Sequence, residues 1–146
     1  MATLHSDALN PQFTGNYRPS ANEEFMNAEQ LAYFRRKLQT WKEDILREAR
    51  ETMAALASGP IQEADITDRA SSETDWGIHL RTRDRQRKLV SKIDSALRRI
   101  ETGDYGFCEV SGEPISLARL EARPIATMTV EAQERHERNE RISRDD

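Results

Sequence analysis

A break between two long helical patterns is encoded by residues 58–70, whose sequence is Ser58-Gly59-Pro60-Ile61-Gln62-Glu63-Ala64-Asp65-Ile66-Thr67-Asp68-Arg69-Ala70. Glycine tolerates left-handed dihedrals and proline has no amide hydrogen to continue a helix, so the first helix is predicted to end here. Asp65 and Asp68 follow at the start of the second helix, where carboxylates can cap free amides and suit the helix dipole. The chain is therefore predicted to turn back at an acidic tip. The spacing fits ordinary capping residues, and it also fits a probe that enters another molecule.

The segments on either side of this tip have the periodicity of paired helices. From Ala28 the apolar residues recur at alternating spacings of three and four, the period of a coiled-coil seam, and they are Leu31, Phe34, Leu38, Trp41 and Ile45. A second helix is predicted over about residues 66–100, with an apolar set that can meet the first helix in an antiparallel pair: Trp76, Leu80, Val90, Ile93, Leu97 and Ile100. Arg83 and Gln86 weaken this seam toward the tip, and Gly77 is predicted to permit a local bend.

Composition favours helices that are exposed along most of their length. Of the 146 residues, 36% are hydrophobic and 33% are charged, which is lean for a compact core. The net charge of −4 argues against indiscriminate nucleic-acid binding. The second helix nevertheless carries a basic strip of Arg81, Arg83, Arg85, Arg87, Lys88, Lys92, Arg98 and Arg99. That strip fits either a solvated face or a surface for an acidic partner or for phosphate.

Three regions follow from these patterns. Residues 1–27 form an irregular arm, which is either a disordered tail or a segment that packs its aromatic residues on the rest of the chain. Residues 28–101 form the hairpin with its tip near 58–70, and residues 102–146 form a turn-rich module with a polar C-terminal helix. The predicted fold class is mainly α: a long antiparallel coiled-coil hairpin on a small globular module. No segment is predicted to span a membrane, and no secretory leader is evident, so we expect a cytoplasmic protein.

Three sequence motifs, in the order in which they occur along the chain, resemble those of the DksA/TraR family. The resemblance covers roughly residues 28–138. The tip motif is Asp65-Ile66-Thr67-Asp68-Arg69-Ala70, and the second-helix motif is Arg83-Asp84-Arg85-Gln86-Arg87-Lys88-Leu89. The zinc-finger region is Tyr105-Gly106-Phe107-Cys108-Glu109-Val110-Ser111-Gly112-Glu113-Pro114-Ile115, followed by Arg119-Leu120-Glu121-Ala122-Arg123-Pro124. The resemblance implies a non-enzymatic transcription factor that binds bacterial RNA polymerase through the secondary channel. It also implies repression of ribosomal RNA promoters and stimulation of amino-acid biosynthesis promoters.

The resemblance further implies roles for particular residues. The tip residues that tune initiation near the active centre of the polymerase would be Asp65, Asp68 and Ala70. The alarmone ppGpp would bind where the protein meets polymerase, at the basic residues Lys92, Arg119 and Arg123. Gln133 occupies a position where the family has a further lysine, so weaker synergy with ppGpp is expected. A monomer without sequence-specific DNA binding is expected.

The departure from the family lies at the metal site. The family pattern is two Cys-x2-Cys pairs separated by about 17 residues, whereas the corresponding residues here are Cys108, Ser111, Thr129 and Ala132. Hydroxyl groups do not replace the thiolates of a structural zinc site, so we predict that zinc is absent. The module is then expected to be held by packing of Tyr105, Phe107, Ile115, Leu117, Leu120 and Ile125. The lone cysteine is predicted to be a buried thiol in preference to a redox sensor.

Three other functions also fit parts of this sequence pattern. An enzyme that uses Asp65 and Asp68 as an acid/base pair is disfavoured, because an exposed tip offers no pocket that separates two pKa values. A direct DNA-binding protein could use the basic strip, and salt-sensitive binding to free promoter DNA would support it. A channel factor that stimulates transcript cleavage would hold magnesium with the acidic tip, and transcript cleavage in a stalled complex would identify it.

Overall fold

The computed structural model describes the backbone of residues 17–58 and 66–145, and the side chains of residues 17–57 and 73–144. Within these ranges lie four α-helices: α1 Ala28–Ser58, α2 Ile66–Thr102, α3 Leu117–Ala122 and α4 Val130–Asp145. The predicted mainly α fold is confirmed. None of the helices in the described part of the chain has an apolar run long enough to cross a membrane.

The described residues form two compact units. The first unit contains the residues up to Leu38 together with those from Ser95 onward, and the second unit is Gln39–Asp94. Helices α1 and α2 therefore contribute residues to both units. The first unit also holds α3, α4 and the turns that precede them.

Helices α1 and α2 contact each other within each unit. In the first unit Arg35 forms an ion pair with Glu101. In the second unit Lys42 Nζ donates to Asp94 Oδ1 at 2.7 Å. Each pair joins a residue of α1 to a residue of α2, as the predicted hairpin requires.

The apolar seam is well formed at one end and weak at the other. Its buried members are Phe34, Leu38, Ile45, Ile93 and Ile100. Trp76 and Leu80, which were expected to pack against α1, are instead 50% and 48% exposed. The physical reason is the polar sequence toward the tip, where Arg83 is exposed and, among the described residues, no continuous apolar row covers these side chains. Helix α2 continues through Gly77.

The module after α2 is built from tight turns around a small apolar core. The amide of Cys108 donates to the carbonyl of Glu113 at 2.8 Å, and the amide of Ile115 donates to the carbonyl of Gly106 at 2.7 Å. Of the predicted packing residues, those that are buried are Tyr105, Ile115 and Leu120, and those that are half-buried are Phe107, Leu117 and Ile125. The module is thus held by aromatic and aliphatic packing together with backbone hydrogen bonds.

The described part of the arm packs on the first unit. The rings of Phe25 and Phe107 meet edge to face with centroids 5.4 Å apart. The fully buried Gln30 holds the arm, because its Oε1 accepts from the amide of Met26 at 2.7 Å and its Nε2 donates to the carbonyl of Ser20 at 3.4 Å. Residues 17–27 therefore pack on the rest of the chain, which was one of the two predictions for the arm. Residues 1–16 lie outside the described range.

Candidate functional site

The acidic tip is the first predicted site. Asp65 lies outside the described residues, and Asp68 and Ala70 lie in the first turns of α2, where only the backbone is described. Helix α2 begins at Ile66, as the capping pattern predicted. The roles of these three side chains therefore stay predictions.

The basic strip of α2 is largely exposed in the second unit. Its members there are Arg81, Arg83, Arg85, Arg87, Lys88 and Lys92, and Arg81, Arg83 and Lys92 have no ion-pair partner among the described residues. Asp84 forms ion pairs with Arg87 at 3.1 Å and with Lys88 at 3.0 Å. Hydrogen bonds from Lys88 and Arg87 hold the pKa of Asp84 below its usual range. The strip keeps a net positive charge and suits an acidic or phosphate-bearing partner.

Exposed apolar side chains lie beside this strip. Trp76, Ile78 and Leu80 are each about half exposed, at 50%, 47% and 48%. Ile78 and Leu80 line a shallow pocket together with Arg81, Asp84 and Arg85. Large apolar groups next to unpaired cations are typical of protein-binding surfaces. Sequence reasoning missed this surface, because it assigned Trp76 and Leu80 to the seam.

Two predicted ligand-binding arginines lie on the first unit, at α3 and its C-terminal end. Helix α3 is capped by Ser116, whose Oγ accepts from the amide of Arg119 at 3.2 Å. The Nε of Arg119 donates to the carbonyl of Met128 at 2.9 Å, so this side chain already has a structural role. Arg123 is the C-cap residue, and its side chain is exposed without a partner among the described residues. Lys92 belongs to the second unit.

A half-buried ion pair fastens α3 to α1. Lys37 Nζ donates to Glu121 Oε2 at 2.5 Å and to the carbonyl of Glu121 at 3.0 Å. Burial alone would raise the pKa of Glu121, but hydrogen bonds from Lys37 and Tyr33 and the charges of Lys37 and Arg18 hold that pKa below its ordinary value. Nothing in the linear sequence connects residues 37 and 121, so pattern reasoning missed this pair.

Arg99 is a second structural residue that sequence reasoning assigned to the basic strip. Its guanidinium donates to the carbonyl of Phe107 at 2.6 Å and to that of Asp104 at 3.1 Å. It also lies 3.8 Å from Glu109. Arg99 therefore braces the turns after α2 and is not a free cation. Its position in the last turn of α2, where basic side chains suit the helix end, was the available signal.

The four positions that correspond to the family's zinc ligands do not fit zinc. Ser111 is exposed, Ala132 has no ligand atom, and Thr129 caps α4, since its Oγ1 accepts from the amide of Ala132 at 3.2 Å. Cys108 is a buried free thiol. No cluster of three or more metal-ligating side chains occurs among the described residues.

The surroundings of Cys108 favour its thiolate. Burial raises the pKa of the thiol, but hydrogen bonds from the hydroxyl and amide of Ser111 and from the amides of Thr129 and Val110 outweigh this effect and lower the pKa to about 6. The amide of Gly112 also donates to the carbonyl of Cys108 at 2.9 Å, so the thiol lies at the start of a tight turn.

Comparison with known proteins gives concordant results. Residues 30–100 match the model of the DnaK suppressor protein DksA N-terminal domain, and residues 103–138 match that of the prokaryotic dksA/traR C4-type zinc finger. The RNA polymerase-binding transcription factor DksA of Caulobacter vibrioides is 67% identical over 131 residues, which cover 90% of this chain and 92% of that protein. The protein of the same name from Escherichia coli K12 is 39% identical over 79% of this chain and 76% of that protein.

A solved structure shares the same fold. The structure of transcription factor DksA2 from Pseudomonas aeruginosa superposes with a TM-score of 0.74 at 39% sequence identity, and the match covers 85% of this chain and 94% of that chain. The resemblance predicted from three short motifs therefore extends over almost the whole chain. On the family models, the curated relatives and the shared fold, this chain belongs to the DksA family.

Proposed function

We propose that this protein binds bacterial RNA polymerase and regulates transcription initiation without being an enzyme. The observation that carries the proposal is the 67% identity, over 90% of this chain, to a protein named RNA polymerase-binding transcription factor DksA. Identity at this level over nearly the full length favours a shared partner as well as a shared fold. The exposed apolar and basic surface of α2 supports the proposal, because it offers a partner both buried area and charge.

The proposed mechanism has the hairpin enter the secondary channel of the polymerase, with Asp65, Asp68 and Ala70 nearest the active centre. Short carboxylates in that position act on basic groups or on the geometry around the catalytic magnesium, and the small Ala70 permits close approach. Repression of ribosomal RNA promoters and stimulation of amino-acid biosynthesis promoters follow from such tuning. In this mechanism the protein acts as a cytoplasmic monomer and does not read DNA sequence.

The alarmone ppGpp is proposed as co-regulator at the surface where the protein meets polymerase. The residues proposed to bind it are Lys92, Arg119 and Arg123. Guanidinium groups bind pyrophosphates in bidentate geometry, and the exposed Arg123 has all its donors available. Arg119 already donates its Nε to Met128, so its contribution would come from the remaining N–H groups. Gln133 hydrogen-bonds to Glu137 at 3.0 Å and brings no charge, in line with the weaker synergy expected.

The test separates binding from regulation with the Asp68→Asn variant. We expect the variant to bind fluorescently labelled polymerase within about threefold of the affinity of the natural protein, a difference of about 0.65 kcal/mol, because the substitution removes charge at the tip and leaves the docking surface intact. We expect its effect on initiation to be lost. Asp44→Asn is a control that removes an acidic charge from α1, outside the tip and outside the proposed binding surface of α2. Equal loss of binding and regulation in Asp68→Asn would mean that the tip is an anchor. Stimulated transcript cleavage in a stalled complex would contradict the proposed role.

A further inference from the structure

The backbone on both sides of Arg123 is anchored to other elements of the first unit. Before it, Glu121 accepts two hydrogen bonds from Lys37, one on Oε2 at 2.5 Å and one on its carbonyl at 3.0 Å. After it, the carbonyl of Pro124 accepts from the hydroxyl of Tyr105 at 2.7 Å. Lys37 lies on α1 and Tyr105 lies in the turns after α2, so two separate elements hold the segment.

The anchors are protected from solvent to different degrees. The Tyr105 side chain is 2% exposed and Pro124 is buried, so the hydroxyl–carbonyl bond lies in the core. The side chains of Lys37 and Glu121 are 35% and 29% exposed, and the ring of Tyr33 lies 5.9 Å from the ammonium. A bond between charged groups in such a site is stronger than one between neutral groups.

Local backbone bonds complete the fixation. The amide of Arg123 donates to the carbonyl of Arg119 at 2.7 Å, and the amide of Ala126 donates to the carbonyl of Arg123 at 3.0 Å. Hydrogen bonds therefore hold the backbone before, at and after Arg123. Its guanidinium is exposed and has no partner among the described residues. A fixed backbone lowers the entropy that is lost when the guanidinium binds an anion, while the side-chain torsions of Arg123 stay free to adapt to the ligand.

We propose that Lys37 and Tyr105 are positioning residues that hold the backbone at Arg123, so that its guanidinium reaches a phosphate-bearing ligand from a fixed point of attachment. This inference rests on the proposed binding of ppGpp by Arg123. Neither residue contacts the ligand in this scheme. Each acts through the 121–124 segment.

The test uses Lys37→Met and Tyr105→Phe in the full-length protein, with Lys42→Met as a matched control. Lys42 also forms an ion pair, with Asp94, and its side chain is 34% exposed, so the control removes a similar bond from the other unit. For the two positioning variants we expect the ppGpp concentration that gives half-maximal repression of a ribosomal RNA promoter to rise at least about fivefold. Repression without ppGpp and the response of Lys42→Met are expected to change less than about twofold.

Two further measurements separate positioning from general damage. Amide hydrogen exchange in residues 121–126 is expected to be faster in Lys37→Met and Tyr105→Phe, and unchanged in Lys42→Met. In an Arg123→Ala background, Lys37→Met is expected to cause no additional loss of ppGpp response, because its effect passes through Arg123. The exchange of charges in Lys37→Glu with Glu121→Lys is expected to restore only part of the response, because a carboxylate at position 37 cannot donate to the carbonyl of residue 121.

The outcomes distinguish this inference from the proposed function. Unchanged amide exchange in residues 121–126 would overturn the positioning role. A normal ppGpp response in Lys37→Met and Tyr105→Phe, together with a lost response in Arg123→Ala, would also overturn it. Faster exchange with a normal ppGpp response in Arg123→Ala would instead refute the assignment of Arg123 to ppGpp, and the positioning of the segment would stand.

Discussion

Replacing Gly106 by alanine tests the packing of the arm on the turns after α2. Gly106 has φ +89°, and an added Cβ would lie 2.9 Å from Cγ of Met26 and 3.0 Å from its Sδ. A left-handed backbone conformation lowers the free energy of unfolding by about 1–2 kcal/mol for a residue that has a Cβ. Overpacking of the added Cβ against Met26 lowers it by about 1–3 kcal/mol more. Gly103 has a similar φ of +84° but no neighbour within 4 Å of an added Cβ. Gly103→Ala should therefore show the backbone cost alone.

Urea unfolding measured by circular dichroism gives the free energy of unfolding of each variant. We expect Gly106→Ala to lose about 1–3 kcal/mol more than Gly103→Ala, because only the former forces the Met26 side chain to move. In a Met26→Ala background the cost of Gly106→Ala should fall to that of Gly103→Ala, since the obstacle is gone. Equal losses in the two glycine variants, or an unchanged difference without Met26, would refute the contact between the arm and Gly106.

Three further predictions concern the degenerate metal site. The pKa of Cys108 is about 6 in the folded protein and lies below the ordinary value of about 8.5. The Cys108 thiolate contributes fully to the free energy of unfolding at pH values above about 8.5, the ordinary pKa of a thiol. This contribution is lost as the pH falls through about 6. Cys108→Ser should thus lower the melting temperature more at pH 9 than at pH 6, and a pH-independent loss would contradict this. Thr129→Ala should lower the free energy of unfolding by about 1 kcal/mol, because it removes the hydroxyl that caps α4. Thr129→Ser keeps the hydroxyl and should cost much less. Equal losses in the two variants would exclude the cap. Protein purified without added metal should contain far less than one zinc per chain by plasma mass spectrometry, since three of the four ligand positions lack a thiolate. For the same reason, EDTA should leave the melting temperature unchanged. Near-stoichiometric zinc would contradict this prediction.

Helix positions and boundaries were largely predictable because they depend on local signals. The Ser-Gly-Pro break and the seam spacing placed α1 at Ala28–Ser58 and the start of α2 at Ile66, where the structure has them. The partial exposure of Trp76 and Leu80 was not predicted. Their spacing fits the seam, but burial also needs apolar partners on the opposite helix and no polar side chains between them.

The supporting contacts of the candidate site could not be predicted from the sequence. Lys37 and Glu121 are 84 positions apart in the chain, and Gln30 becomes a buried anchor only when the arm packs against it. Such polar contacts depend on tertiary structure and leave no periodic pattern. Family motifs predict which residues meet a partner, and the structure adds the hydrogen bonds that anchor the chain on either side of Arg123.

The measurement that tests the central claim most directly is multi-round transcription by purified bacterial RNA polymerase. The templates are a ribosomal RNA promoter and an amino-acid biosynthesis promoter, with and without this protein and ppGpp. We predict repression of the first and stimulation of the second, each enhanced by ppGpp and lost in Asp68→Asn. No effect on either promoter, under conditions where binding to polymerase is demonstrated, would contradict the proposed function.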